Sequence, residues 1–285
     1  MLKVLDAIQL STDYLEKKEI ESPRLNAELM LSDILECTRL NLYLMFDRPL
    51  SDNQKDKYRE MIARRGKFEP LQYILGYVEF YGLRFNVNPS VLIPRQETEI
   101  LIETIIAHCK DRTGLKILDI GAGSGNIPVC LAKNISSCDV ISVDISKEAI
   151  DIAKVNAELN EVSGRIKFIE KDIFANECCK EIGQFDIVVS NPPYVGTDQY
   201  KEVQKEISEY EPANAVTDFE DGYKFYKRIS ELGNKILNPG GRTFFEMGIG
   251  QSEKVKNIMS DAGFSNIKII KDYFDIDRVI HGELK

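Results

Sequence analysis

No stretch of the chain reaches the ~20 consecutive apolar residues needed to span a bilayer. The N-terminus mixes Leu2, Leu5, Ile8 and Gln9 with polar residues in a helical pattern and has neither a signal-peptide core nor a cleavage site. A cytoplasmic protein is expected. Histidine is scarce: His108 and His281 are the two in the chain, and they stand far apart. The six cysteines (Cys37, Cys109, Cys130, Cys138, Cys178, Cys179) contain no Cys-x-x-Cys spacing. Zinc sites draw on both residue types at recognisable spacings, so no metal centre is expected and the thiols should be reduced and incidental. The same shortage argues against a histidine-based catalytic triad. Internal repeats and low-complexity tracts are also absent.

Positive charge is short as well. The formal net charge is −9 over 285 residues. Residues 1–75 hold 12 Lys+Arg against 13 Asp+Glu, which leaves 25 against 33 for the remainder. Such an acidic segment repels a bare phosphate backbone and steers cationic surfaces toward itself. The length is comfortable for two domains and for a sizeable core.

Residues 1–67 read as helices. Ser22-Pro23-Arg24 predicts an N-cap with proline at the first helical position, and Leu25, Leu29, Ile34 and Leu35 suggest the packed face of that helix. Ser51-Asp52 starts a further helix that Gly66 should stop, and its Lys55, Lys57, Arg59, Arg64, Arg65 and Lys67 form a basic stretch, either a solvated face or a docking face. Tyr77–Val87 alternates around Gly82 like a β-hairpin. After a helix over about Glu97 to Lys110, apolar runs at Leu115–Asp119, Val140–Asp144, Ile166–Ile169 and Phe185–Ser190 alternate with helical or loop segments. Thr243–Met247, Ile267–Ile270 and Arg278–Ile280 look like later strands. This alternation predicts an α/β fold with a largely parallel sheet covered on both faces.

Gly121-Ala122-Gly123-Ser124-Gly125 follows the first buried-looking strand and opens a helix. Glycines there permit tight turning and close approach of a ligand. Asn126 takes the place of the dinucleotide fingerprint's third glycine, so the loop suits S-adenosylmethionine better than a nicotinamide cofactor. Asp144 ends the next strand, where a carboxylate accepts hydrogen bonds from ribose hydroxyls. Lys171-Asp172-Ile173-Phe174 follows the third strand, placed to close over an adenine, with Asp172 able to accept from its exocyclic amine.

The fourth strand runs into Asn191-Pro192-Pro193-Tyr194. The prolines stop the strand and fix the backbone, which aims its carbonyls rigidly. An amide or aryl-amine nitrogen is a poor nucleophile because its lone pair is delocalised. Accepting both its N–H groups, with the Asn191 side-chain oxygen and a carbonyl of the Pro192-Pro193 turn, raises its electron density, and Tyr194 is suited to stack on a planar group. These residues leave a side-chain amide and an adenine equally open.

The chain resembles the peptide chain release factor N5-glutamine methyltransferases (HemK/PrmC type) along its whole length. Arg64-Arg65, Glu69 to Gly76, the aromatic hairpin, Leu92-Ile93-Pro94-Arg95-Gln96-Glu97-Thr98-Glu99, the glycine loop, Asn-Pro-Pro-Tyr, Glu209-Tyr210-Glu211-Pro212 and Asp272 to Arg278 carry the resemblance. It implies a seven-stranded, Rossmann-like class I methyltransferase domain over 96–285, a small all-helical substrate-recognition domain over 1–75, and a β-hairpin linker over 76–95. It implies S-adenosylmethionine held by Gly121 to Gly125, Asp144, Asp172, Ile173 and Asn191, and a glutamine amide held by Asn191 to Tyr194. The substrate it implies is the Gly-Gly-Gln loop of release factors, with no direct nucleic-acid binding and no membrane. A ribosomal-protein glutamine and adenine N6 in DNA or RNA are the alternatives. Gln96, Ala122 and Pro128 depart from the residues often found in the family, and the bulky aromatic common near Ile173 is absent, so Ile173 or Phe174 must cover the adenine.

Overall fold

A computed structural model describes residues 1–175 and 183–284. Cys178 and Cys179 lie outside the described residues; Cys37, Cys109, Cys130 and Cys138 are free thiols. The chain divides into two compact units, Met1–Tyr77 and Val78–Lys285.

The first unit is helical: Val4–Lys17, Pro23–Ile34, Arg39–Leu44, Asp52–Arg65 and Leu71–Leu75. Ser51 caps its helix as its sequence predicts, in a reciprocal box with Gln54. Ser22 occupies the N-cap position but has φ +49° and makes no side-chain cap bond; Asn26 Nδ2 donates to the Glu21 and Ser22 carbonyls instead. The packed face of that helix is Ala27, Met30 and Leu31, whereas Leu25 is exposed and Leu29, Ile34 and Leu35 are half-buried. Gly66 does end the Asp52–Arg65 helix, yet at φ −64°. A Cβ there would lie 2.7 Å from the tip of the Tyr14 ring, which is exposed and would have to shift. Of the basic stretch, Arg65 is buried and donates to Asn26 Oδ1, so it does not belong to a solvated face, while Arg64 pairs with Glu69 and stays 38% exposed.

In the second unit, strands β1 (Tyr77–Phe80) and β2 (Leu83–Asn86) form the predicted hairpin. Tyr81 (φ +50°) and Gly82 (φ +70°) both take the left-handed conformation that a tight hairpin turn demands. Phe80 and Phe85 meet edge to face at 6.0 Å within the core of this unit. Asn156 binds the Asn86 N–H (2.7 Å) and C=O (2.9 Å), so the hairpin expected as a linker is packed on the body of the second unit.

Strands β3 (Leu115–Ile120), β4 (Cys138–Asp144), β5 (Ile166–Glu170), β6 (Phe185–Ser190), β7 (Leu237–Glu246), β8 (Phe264–Lys271) and β9 (Asp277–Leu284) make a seven-stranded sheet of order β5-β4-β3-β6-β7-β9-β8. It is parallel except at β9, which runs antiparallel to both neighbours. The central strands are mostly apolar because they are buried on both faces, with Asp119, Ser142 and Thr243 among the buried polar exceptions. One face carries Leu101, Ile105, Val129 and Leu131; the other carries Tyr226, Ile229, Val255 and Met259. The strand order reverses between β3 and β6, and a crevice opens at their C-terminal ends. No helix among the described residues is long and apolar enough to cross a membrane.

Candidate active site

Beyond β3, Gly121 and Ala122 donate to the Val143 carbonyl (2.8 and 3.1 Å), folding the loop back over β4. Gly121, Gly123 and Gly125 have φ of +89°, +51° and +80°. Gly125 also needs its missing side chain for space, since a Cβ would lie 3.0 Å from that of Ala153. Helix Asn126–Asn134 starts directly after it, with Pro128 in the first turn where its missing N–H leaves no bond unmade. Asn156 Nδ2 donates to the Ser124 carbonyl (2.8 Å), tying loop and hairpin to one side chain.

Asp144 stands at the end of β4. Its Oδ2 accepts the Gly123 N–H and its Oδ1 the Ser146 N–H, each at 2.9 Å. A carboxylate has about four acceptor positions, so lone pairs remain for a ligand. Asp172 Oδ1 accepts the Phe174 N–H (2.8 Å), which turns the chain after β5. Ile173 is buried at the cavity wall, and Phe174 meets Phe225 edge to face at 5.2 Å. Phe225, in the first turn of the Lys224–Ile236 helix, belongs to no motif in the sequence.

These residues line one cavity of about 810 Å³, within the range of small-molecule sites. It brings together Gly121, Ala122, Gly123, Ser124, Asp144, Asp172, Ile173, Asn191, Pro192 and Pro193. Gly125 shapes the loop from behind. Tyr194, expected to stack on the substrate, also stands behind the wall. Its ring packs against the second core cluster, its hydroxyl donates to Glu246 Oε1 (3.4 Å), and its carbonyl accepts from Gln251 Nε2 (2.9 Å). Burial first, then the nearby Glu246 charge, pushes the Tyr194 hydroxyl well above its ordinary range, so it stays protonated.

Four residues near the cavity went unassigned in the sequence. Asn191 Nδ2 donates to Thr98 Oγ1 (3.2 Å), and Thr98 donates to Glu246 Oε2 (2.6 Å). Burial raises the Glu246 carboxyl to about 7 against the opposing bond from Thr98 and charge of Arg278. Glu211 accepts the Ile93 N–H (3.1 Å) and pairs with Arg95, clamping the Ile-Pro-Arg segment beside the cavity. Beneath the glycine loop Asp119 is wholly buried; its Oδ2 accepts from Ser142 (2.6 Å), while Oδ1 has no partner among the described residues. Burial raises it to about 8, with Ser142 opposing and the Asp144 charge adding. The only sequence signal for Thr98 and Glu211 was their place in the segments that carried the family resemblance.

The model of the PrmC N-terminal domain matches residues 6–76, and that of the methyltransferase small domain matches residues 95–212. A release factor glutamine methyltransferase of Fusobacterium nucleatum is 41% identical over 277 residues, which are 97% of this chain and 77% of that protein. One from Geobacter sulfurreducens is 41% identical over 284 residues, 99% of this chain and 96% of its own. This chain belongs to the release factor glutamine methyltransferase family. Among solved structures, a Thermus thermophilus 16S rRNA N2 G1207 methyltransferase in complex with AdoMet and guanosine matches with a TM-score of 0.53 at 18% identity. It covers 73% of this chain and 50% of that one, a likeness of fold alone.

The fold implies S-adenosylmethionine, and the residues present fit it. The backbone at Gly123 is open, with nothing within 4 Å of where a Cβ would stand. Asp144 retains acceptor capacity at the β4 end, where a ribose is held in such sheets. Ile173 and Phe174 supply an apolar wall for a purine.

Proposed function

We propose that the chain transfers a methyl group from S-adenosylmethionine to the side-chain amide nitrogen of the glutamine in the Gly-Gly-Gln loop of peptide chain release factors. The observation that carries this is the convergence of the glycine loop and Asn191-Pro192-Pro193, from the ends of neighbouring strands, on one cavity. Asn191 gives its NH₂ to Thr98, so its carbonyl oxygen is the end offered to a substrate N–H.

When bound, S-adenosylmethionine supplies a methyl group activated by the adjoining sulfonium. The glycine loop and Asp144 orient the cofactor, while Asp172, Ile173 and Phe174 border its adenine. Asn191 Oδ1 accepts one amide N–H and a carbonyl of the Pro192-Pro193 turn accepts the other. Together they raise electron density on nitrogen and hold it in line for displacement, and positioning supplies most of the rate. Tyr194 braces the turn from behind. A strong general base is not required, because the methylated nitrogen is far more acidic than its neutral parent.

The acidic balance of residues 76–285 disfavours a nucleic-acid backbone and therefore adenine as substrate. We assign the helical residues 1–75 to recognition of the folded release factor, and we place the protein in the cytoplasm with its substrate.

The test incubates the full chain with S-adenosylmethionine and a purified release factor, a ribosomal-protein fraction or adenine-containing DNA. Mass spectrometry should find one added methyl on the Gly-Gly-Gln peptide. Asn191→Ala should cut turnover ~10²–10³-fold with the fold intact, by analogy with removing one preorganised polar contact. Methylation of either other substrate in preference to the release factor overturns the proposal.

A further inference from the structure

We infer that Thr98 and Glu246 are positioning residues that hold the Asn191 carboxamide in one of its two orientations, with the carbonyl oxygen toward the substrate nitrogen. This rests on the function proposed above for its substrate. A carboxamide is nearly symmetric in shape, so packing alone does not distinguish its oxygen from its nitrogen. Its chemistry is not symmetric: turned over, Asn191 would offer two donors to an amide nitrogen that needs acceptors.

The hydrogen-bond chain has a direction. Thr98 and Glu246 are each 1% exposed and 148 residues apart in sequence. The Thr98 hydroxyl lies 2.6 Å from Glu246 Oε2 and 3.2 Å from Asn191 Nδ2. An ionised carboxylate only accepts, so the single hydroxyl proton goes to Glu246. Toward Asn191, Thr98 then offers only a lone pair, and only the NH₂ end complements it. Glu246 is itself held in place. Tyr194 donates to its Oε1 (3.4 Å), Tyr226 donates to its backbone carbonyl (2.9 Å), and β9 contributes the Arg278 charge. Glu97, beside Thr98 at the helix start, opposes that charge.

Protonation of Glu246 removes the direction. A neutral carboxyl can donate to Thr98, the hydroxyl can then donate onward, and Asn191 is no longer barred from turning its oxygen inward and its NH₂ to the cavity. Methyl transfer then loses its acceptor. Turnover should therefore rise with pH as Glu246 ionises, and burial raises that titration to about 7 in the free chain.

The test compares Thr98→Val, nearly the same shape without the hydroxyl, with Thr98→Ser, which keeps it. In the full chain acting on a release factor, Thr98→Val should lower kcat roughly tenfold or more. KM and the cofactor dissociation constant should stay unchanged, and Thr98→Ser should recover most of the loss. Glu246→Gln, if it folds, should remove the acid limb of the kcat profile. A second readout needs no substrate: hydrogen exchange of the Asn191 side-chain NH₂, assigned by NMR against Asn191→Ala, should be slow in the wild type and fast in Thr98→Val. The inference is overturned by normal kcat in Thr98→Val, by equal losses in Val and Ser, or by unchanged exchange. Failure of the wild type to methylate a release factor while the exchange difference persists counts against the substrate alone.

Discussion

Arg95 and Glu211, 116 residues apart in sequence, form an ion pair in which the Glu211 side chain is almost wholly buried and also accepts the Ile93 N–H. The pair joins two loop segments that lie beside the cavity. Glu211→Ala leaves the buried Ile93 N–H without an acceptor, while Arg95, about a third exposed, is free to turn to water. The expected loss is ~1–3 kcal/mol, set by the stranded donor more than by the charge. Urea unfolding of the two proteins measures it, and an unchanged midpoint would show the clamp to be incidental. Arg95→Lys should cost less, since the Ile93 bond survives.

Gly222 supports the Asn-Pro-Pro turn from outside every motif. It has φ +82°, and a Cβ there would stand 2.5 Å from the Tyr194 carbonyl oxygen. Gly222→Ala must push that carbonyl, and misplacement of a reacting group by about 1 Å costs up to ~10²-fold in rate. Gly82→Ala is the control: φ is +70° but nothing lies within 4 Å, so only backbone strain of ~1–2 kcal/mol is added. Both variants should melt lower, and only Gly222→Ala should lose turnover when assayed well below its melting temperature. Equal kinetics in the two would separate Gly222 from the site.

Much of this architecture was legible because single strands carry their own signal. β3 and β6 are buried on both faces and read as mostly apolar runs despite Lys116, Asp119 and Asp186, and the glycines and prolines that follow them mark the ligand edge. The start of β7 was not legible. Its first residues, Leu237 to Gly241, sit at a register shift between Phe185 and Ile187, where alternation is lost. The Pro23–Ile34 helix misled because its buried face includes Asn26 and Glu28, satisfied by Arg65 and Arg39 from outside the helix, and Ser32, which donates back to the Glu28 carbonyl. Thr98, Glu246 and Asp119 share that difficulty: a buried polar group has meaning only through its partner, and sequence spacing does not show partners from other strands.

Asp144 has a double load, bracing Gly123 and Ser146 while offering its remaining lone pairs to the cofactor. Asp144→Ala should weaken S-adenosylmethionine binding by ~1.5–3 kcal/mol, about ten- to a hundredfold or slightly more in dissociation constant. Asp144→Asn, which keeps one acceptor oxygen, should fall between. Isothermal titration calorimetry reads both, and wild-type affinity in the alanine variant would exclude Asp144 from the cofactor site.

The buried acids and His281 should make opposing contributions to the pH dependence of the ligand-free protein. Asp119 is raised from 3.8 to about 8 and Glu246 from 4.5 to about 7, both chiefly by burial. Raised acids favour the protonated folded state, so their contribution is full below the unfolded value and is lost as pH rises through the folded one. His281, stacked on Phe244 at 4.9 Å, is lowered from 6.5 to about 4 by burial and then by the Arg242 charge. Its contribution is full above 6.5 and is lost as pH falls toward 4. Urea midpoints should therefore fall from about pH 4.5 to about pH 8, because two raised acids outweigh one lowered histidine below pH 6.5. Asp119→Asn cannot ionise and should lessen the fall and abolish it between about pH 7 and 8, while His281→Gln should steepen it below pH 6.5. A fall of undiminished slope in Asp119→Asn would assign that titration to Glu246, and Glu246→Gln would then have to abolish it.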